Sequence, residues 1–120
     1  MSKFVIRRVA TGFKFDLRAD NGEEILSSEV YSGRDKCRKG IESVRRNAPG
    51  CPMEEVSEGE ALPNPKFQIF RDKAGEYRFR LRARNGEVIA ASQGYSTRSA
   101  CLAGLECVKN TAHEAEIEKE

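Results

Sequence analysis

One hundred and twenty residues set the scale of a single domain with one hydrophobic core. Hydrophobic residues make up 38% and charged residues 33%, with a formal charge of +2, which excludes a disordered composition and a strongly acidic or basic protein. No run approaches the ~18 apolar residues of a membrane span, and the start, Met1-Ser2-Lys3-Phe4, does not read as a signal peptide, so a cytoplasmic protein with reduced thiols and no membrane partner is expected.

The first predicted strand carries Lys3-Phe4-Val5-Ile6 and ends at a turn around Val9-Ala10-Thr11. A second strand runs through Leu17-Arg18-Ala19 to Asn21-Gly22, a hairpin signal whose loop length fixes the register. A two-residue loop would turn Glu24 and Val88 inward and leave Ile25 and Ile89 outside. A three-residue loop with a glycine bulge, Asp20-Asn21-Gly22 and later Arg84-Asn85-Gly86, pairs Leu17 with Ile25 and Leu81 with Ile89 inward, and Arg18 with Glu24 outward. The three-residue loop is preferred, because a one-residue slip exchanges faces along the whole strand.

A helix is expected from Ser32, with the serine hydroxyl as cap and Asp35 in a variant capping box. Cys37, Ile41, Val44 and Ala48 then fall on one helical face, joined by Gly40. A glycine there costs about 1 kcal/mol of helix propensity against alanine, which points to a close approach of the helix to the sheet. Met53–Val56 is a short final strand. From Pro49 to Pro65 the chain holds all four of its prolines and an acidic run, so an extended connector follows.

The order then repeats. Lys66-Phe67-Gln68-Ile69 answers Lys3-Phe4-Val5-Ile6. Leu81-Arg82-Ala83 with Asn85-Gly86-Glu87 answers Leu17-Arg18-Ala19 with Asn21-Gly22-Glu23, and Tyr95-Ser96 begins a second helix with Cys101, Gly104, Leu105, Val108 and Ala112 inward. The offset grows from 63 to 64 after Gly12/Gly75, so the second copy has one extra residue in its first turn. Nearly half of the positions in 13–48 are identical to their counterparts in 77–112. Ala115–Ile117 is the second short final strand.

A copy of ~55 residues with one helix and unpaired sheet edges is marginal alone. Two copies joined edge to edge share a longer sheet and a two-helix layer. The expected fold is therefore α+β: two tandem β-β-β-α-β repeats (3–56 and 66–117, linker 57–65) forming one pseudo-two-fold antiparallel sheet, with both helices on one face, in a single co-folded domain over 1–120 that is a monomer. The repeated Lys-Phe-x-Ile, Phe-x-Leu, Asn-Gly-Glu, Tyr-Ser and Gly-x-Glu-x-Val segments resemble the YegP-like family of small bacterial tandem-repeat domains. The resemblance implies exchanged C-terminal strands, Met53–Val56 pairing with copy two and Ala115–Ile117 with copy one, and no established activity. Copy one departs from the pattern at its first turn and at Val30, where copy two has Gly94.

Chemistry is constrained by what is missing. Cys37, Cys51, Cys101 and Cys107 show no paired spacing, and His113 is the only imidazole. Neither a Cys/His metal site nor a Cys–His or Ser–His–acid nucleophile is indicated, and phosphate-loop and dinucleotide glycine patterns are absent. No enzyme activity, metal or cofactor is expected. The reading is a non-catalytic module with a protein partner, or alternatively a non-specific nucleic-acid binder.

Two sets of residues are candidates for binding. Residues 66–112 hold nine Lys/Arg against four Asp/Glu, and Arg78, Arg80, Arg82 and Arg84 alternate so as to project from the sheet face opposite the helices. That stripe either contacts phosphates or is a solvated strand face neutralised by neighbouring glutamates. Only Phe70 offers an aromatic there, which is thin for base stacking. A second basic surface on the first helix (Arg34, Lys36, Arg38, Lys39, Arg45, Arg46) lies on the other side of the sheet and is not expected to merge with the stripe. The other set is the duplicated Tyr31, Ser32, Arg34 and Tyr95, Ser96, Arg98, which could hold an anion at the two helix starts or serve only in capping and packing.

Overall fold

A computed structural model of the chain describes residues 2–56 and 61–118; part of the expected linker, 57–60, lies outside the described residues. The strands are β1 (Lys3–Val9), β2 (Gly12–Arg18), β3 (Glu24–Ser28), β4 (Met53–Glu55), β5 (Lys66–Arg71), β6 (Tyr77–Arg82), β7 (Val88–Ala91) and β8 (Glu116–Glu118). The helices are α1 (Arg34–Asn47) and α2 (Arg98–Thr111), each followed by a short 3-10 turn, Ala48–Gly50 and Ala112–Glu114.

All eight strands form one sheet in the order β4-β5-β6-β7-β3-β2-β1-β8. The two repeats meet where β3 and β7 pair antiparallel, Ser27 opposite Ala91. The short final strands are exchanged: β4 pairs with β5 of the second repeat and β8 with β1 of the first. Both outer pairings are parallel, so the sheet is mixed rather than antiparallel throughout. A strand arriving from a helix that crosses the sheet lies alongside its neighbour in the same direction.

Alternation along β1, β2, β5 and β6 turns Phe4, Ile6, Phe15, Leu17, Phe67, Ile69, Phe79 and Leu81 to one face, where they are buried with Cys37, Ile41, Val44, Cys101, Leu105 and Val108 of the helices. Gly40 sits against Tyr31 and Phe15: a Cβ there would lie 2.4 Å from the tyrosine Oη. Gly104 meets Tyr95 in the same way. The close approach required of these glycines is thus to a tyrosine ring stacked on the sheet, Tyr31 on Phe15 and Tyr95 on Phe79.

The three-residue loops form as expected. The Gly22 amide donates to Ala19 O and the Ala19 amide to Glu23 O, with Gly22 and Gly86 at φ of 85 and 88, and Arg18 lies opposite Glu24. Further along, a bulge intervenes. Leu17 pairs with Leu26 rather than Ile25, and Leu81 with Ala90 rather than Ile89, because the extra residue lets two successive side chains be buried from one strand. The first turn of copy one closes with two residues between Val9 and Gly12, whereas copy two takes three, Lys73 to Gly75, between Asp72 and Glu76. The helices begin one residue later than expected. The N-caps are Gly33, which makes no side-chain cap bond, and Thr97, whose hydroxyl accepts from the Ala100 amide, so Ser32, Ser96 and Asp35 do not form the caps.

Candidate functional site

On the face away from the helices, register places Glu54, Gln68, Arg80, Ala91, Ser27, Asp16 and Val5 in one row across the sheet. Charge in this row is arranged differently in the two repeats. In the first, Asp16 is 1% exposed and accepts from Arg7 Nε at 2.9 Å, Arg18 Nη2 at 3.4 Å and the Ser27 hydroxyl at 3.0 Å. The carboxylate draws both neighbouring guanidiniums to itself and offsets part of their charge.

The same position in the second repeat is Arg80. Its Nε donates to Gln68 Oε1 at 2.8 Å, and Arg82 Nε donates to the same oxygen at 2.6 Å. Arg82 also donates to Gly86 O, and the Arg80 guanidinium lies 4.5 Å from the Phe70 ring centre. Neither cation has a carboxylate partner among the described residues. Burial, and next the charge of Arg82, push the Arg80 pKa down. Arg78 differs, being paired with Asp72 at 2.7 Å and donating to Ser92 O. Arg84 is not part of the face at all: β6 ends at Arg82, and Arg84 lies in the turn beyond.

Gln68 is the hub that charge counting missed. Its amide nitrogen donates to Glu54 Oε2 at 2.7 Å, and Glu54 also accepts from the Leu62 amide and from Lys66 Nζ. These bonds, that from Gln68 first, hold the Glu54 carboxyl down at about 2. Glu54 arrives on the exchanged strand β4, so only the strand exchange announces its place. The glutamate nearest the stripe is therefore turned towards Gln68 and Lys66 and does not neutralise Arg80 or Arg82.

The duplicated set is engaged separately at each helix start, in the second case by a residue of the exchanged strand β4. Tyr31 and Tyr95 bridge to Phe13 and Tyr77 through their backbones, and burial raises both phenol pKa values. Arg34 lies over the Phe13 ring at 5.0 Å, Arg98 pairs with Glu55, and Ser32 and Ser96 are exposed. Among the described residues no hydrogen bond, ion pair or ring contact joins the two triplets. Cys37, Cys51 and Cys101 are buried free thiols whose pKa values burial raises to about 11, the wrong direction for thiolate chemistry. No group of metal-ligating side chains occurs among the described residues, and none of their helices is long and apolar enough to cross a membrane.

The family model described as Domain of unknown function (DUF1508) matches residues 9–55 and again 72–118, the two copies in turn. The chain belongs to this family. A UPF0339 protein of Pseudomonas aeruginosa is 34% identical over 120 residues, covering 99% of this chain and 97% of the relative. One from Methanosarcina acetivorans is 52% identical over 52 residues, 43% of this chain but 90% of its own length, so that relative is about half as long as this chain. Among solved structures, yegP from E. coli, titled a protein of unknown function, superposes with a TM-score of 0.81 at 28% identity, covering 99% of this chain and 92% of its own. A UPF0339 protein of Shewanella oneidensis gives 0.80 at 29% identity over 98% and 90%. The YegP-like resemblance and the tandem architecture read from the sequence are thus those of the family.

Proposed function

We propose that the chain is a cytoplasmic, non-catalytic binding module whose open sheet face engages the phosphate backbone of nucleic acid through Arg80 and Arg82. One observation carries the reading: two adjacent guanidiniums share a single neutral oxygen and have no carboxylate partner among the described residues. The equivalent place in the first repeat holds a carboxylate. Guanidinium suits phosphate because its planar donors can contact two oxygens together. The Phe70 ring already faces Arg80, which favours contact with backbone over stacking of bases. Four unbridged cysteines support the cytoplasmic placement.

The test is fluorescence anisotropy of the full chain with a labelled single-stranded oligonucleotide. Affinity should fall steeply with salt, and Arg80→Glu with Arg82→Glu should abolish it while leaving the melting curve cooperative. Absence of binding at low salt, or binding that the double reversal leaves intact, ends the proposal.

A further inference from the structure

On the helix side of the sheet, two contiguous depressions of about 640 and 330 Å3 run between α1 and the β6–β7 turn, sharing Ser43, Ala83 and Asn85 as walls. We propose that they form a binding site for a compact polyanion carrying at least two phosphoryl groups. The site is separate from the open face and does not depend on it.

Four cations converge here. Lys36, Lys39 and Arg46 recur on one side of α1, and Arg84 faces them from the turn. None of the four makes a hydrogen bond or ion pair with a described residue, and all are exposed. The side-chain amide of Asn85 and the hydroxyl of Ser43 add neutral polar groups between them. Glu87 lines only the smaller depression, beside Tyr31; the larger one, between Arg46 and Arg84, is lined by no carboxylate among the described residues. Both are open grooves on the surface, and the spread of cations along them suits two phosphoryl groups better than one.

The molecule contains its own comparison. The pseudo-two-fold relates this groove to one between α2 and the β2–β3 turn, and every cation is replaced there: Lys36 by Ala100, Lys39 by Ala103, Arg46 by Asn110 and Arg84 by Asp20. Glu23 keeps the place of Glu87, and Glu24 stands where the first groove has Val88. The equivalent positions thus carry four cations and one carboxylate on one side, and three carboxylates and no cation on the other. Fold requirements are the same at both places, so they do not account for the cations.

The experiment is an amide-resolved NMR titration of the full chain with sodium tripolyphosphate at low salt, alongside orthophosphate. Saturable shifts are expected at Ser43, Arg46 and Asn85 with no matching shifts at Asp20, Ala103 and Asn110. Lys39→Ala with Arg46→Ala should weaken the midpoint about tenfold or more, with dispersed spectra showing that the fold persists. The Arg80→Glu, Arg82→Glu variant should bind tripolyphosphate as the parent does, so failure of the open-face reading and failure of this one are told apart. Shifts that do not saturate, that appear equally in the twin groove, or that the open-face reversal removes would overturn the proposal. So would an oligonucleotide that shifts the same resonances at a lower phosphate concentration than tripolyphosphate.

Discussion

Severing the chain between Asn64 and Pro65 should leave two fragments, neither of which folds as a monomer. The magnitude follows from surface scaling. A 13.4 kDa chain is expected to expose about 6,500 Å2 when folded, and two compact halves about 7,800 Å2 together; the intact protein exposes 6984 Å2. Separation of the protein therefore uncovers roughly 800 Å2 even if each half rearranges to an ideal shape. With a little over half of it apolar and about 25 cal/mol per Å2, the loss is roughly 6 kcal/mol per half. A whole domain is stable by only ~5–15 kcal/mol. The halves cannot meet that ideal, because 1–64 carries β4 without β5 and leaves β1 without β8, while 65–120 has the converse defects. Circular dichroism melts and sedimentation of fragments 1–64 and 65–120 provide the assay, and mixing them should restore one cooperative transition. Either fragment melting cooperatively as a dilute monomer refutes the co-folded domain.

Two further outcomes are specific. Gly40→Ala should lower stability by about 1–3 kcal/mol, although alanine is favoured in helices by about 1 kcal/mol. Its Cβ would stand 2.4 Å from Tyr31 Oη and 2.7 Å from Cζ, so adding Tyr31→Phe should not rescue it; a raised melting temperature would show that α1 is free to move off the ring. Glu54, whose folded pKa of about 2 lies below its reference of 4.5, contributes stability that is complete above about pH 4.5 and lost as pH falls towards 2. Urea melts between pH 7 and 2 should show Glu54→Gln with a flatter decline across that window, and an unchanged slope would contradict the assigned network.

Strand alternation and the Asn-Gly signals carried much of the fold. The pairing of Arg18 with Glu24 was legible because loop chemistry fixes the first rung. The next rung was not, since Ile25-Leu26 and Ile89-Ala90 each put two apolar residues in succession. Strict alternation must send one of them outward, whereas a bulge buries both. Three-residue strands such as β4 and β8 have too little pattern to declare partners, and only the family resemblance suggested their exchange. At the helix starts the caps are Gly33 and Thr97, one residue past the expected serines, because cap propensity hardly separates such neighbours. The site was harder for a physical reason: Gln68 is neutral and Glu54 reaches it from another repeat, so a count of charges along β6 locates the arginines without revealing what they face.

The arginine at the end of that run shows why the two basic surfaces cannot be kept apart by sheet face alone. Continued alternation would put Arg84 with Arg80 and Arg82, but the strand stops at Arg82 and the turn carries Arg84 round to the α1 side, where it faces Arg46. Its twin, Asp20, follows the same turn geometry with the opposite charge, as Asp16 does for Arg80. Several paired positions in the core keep their identity, Phe15 with Phe79, Leu17 with Leu81 and Gly40 with Gly104, because two copies of one backbone require similar volumes there. Positions outside that core are under no such constraint, and at Arg80, Lys36, Lys39, Arg46 and Arg84 the repeats part. A ligand that recognised the shared scaffold would meet two equivalent sites; one that recognises charge meets a single basic side, so occupancy of one anion per chain at either proposed site follows from the broken symmetry itself.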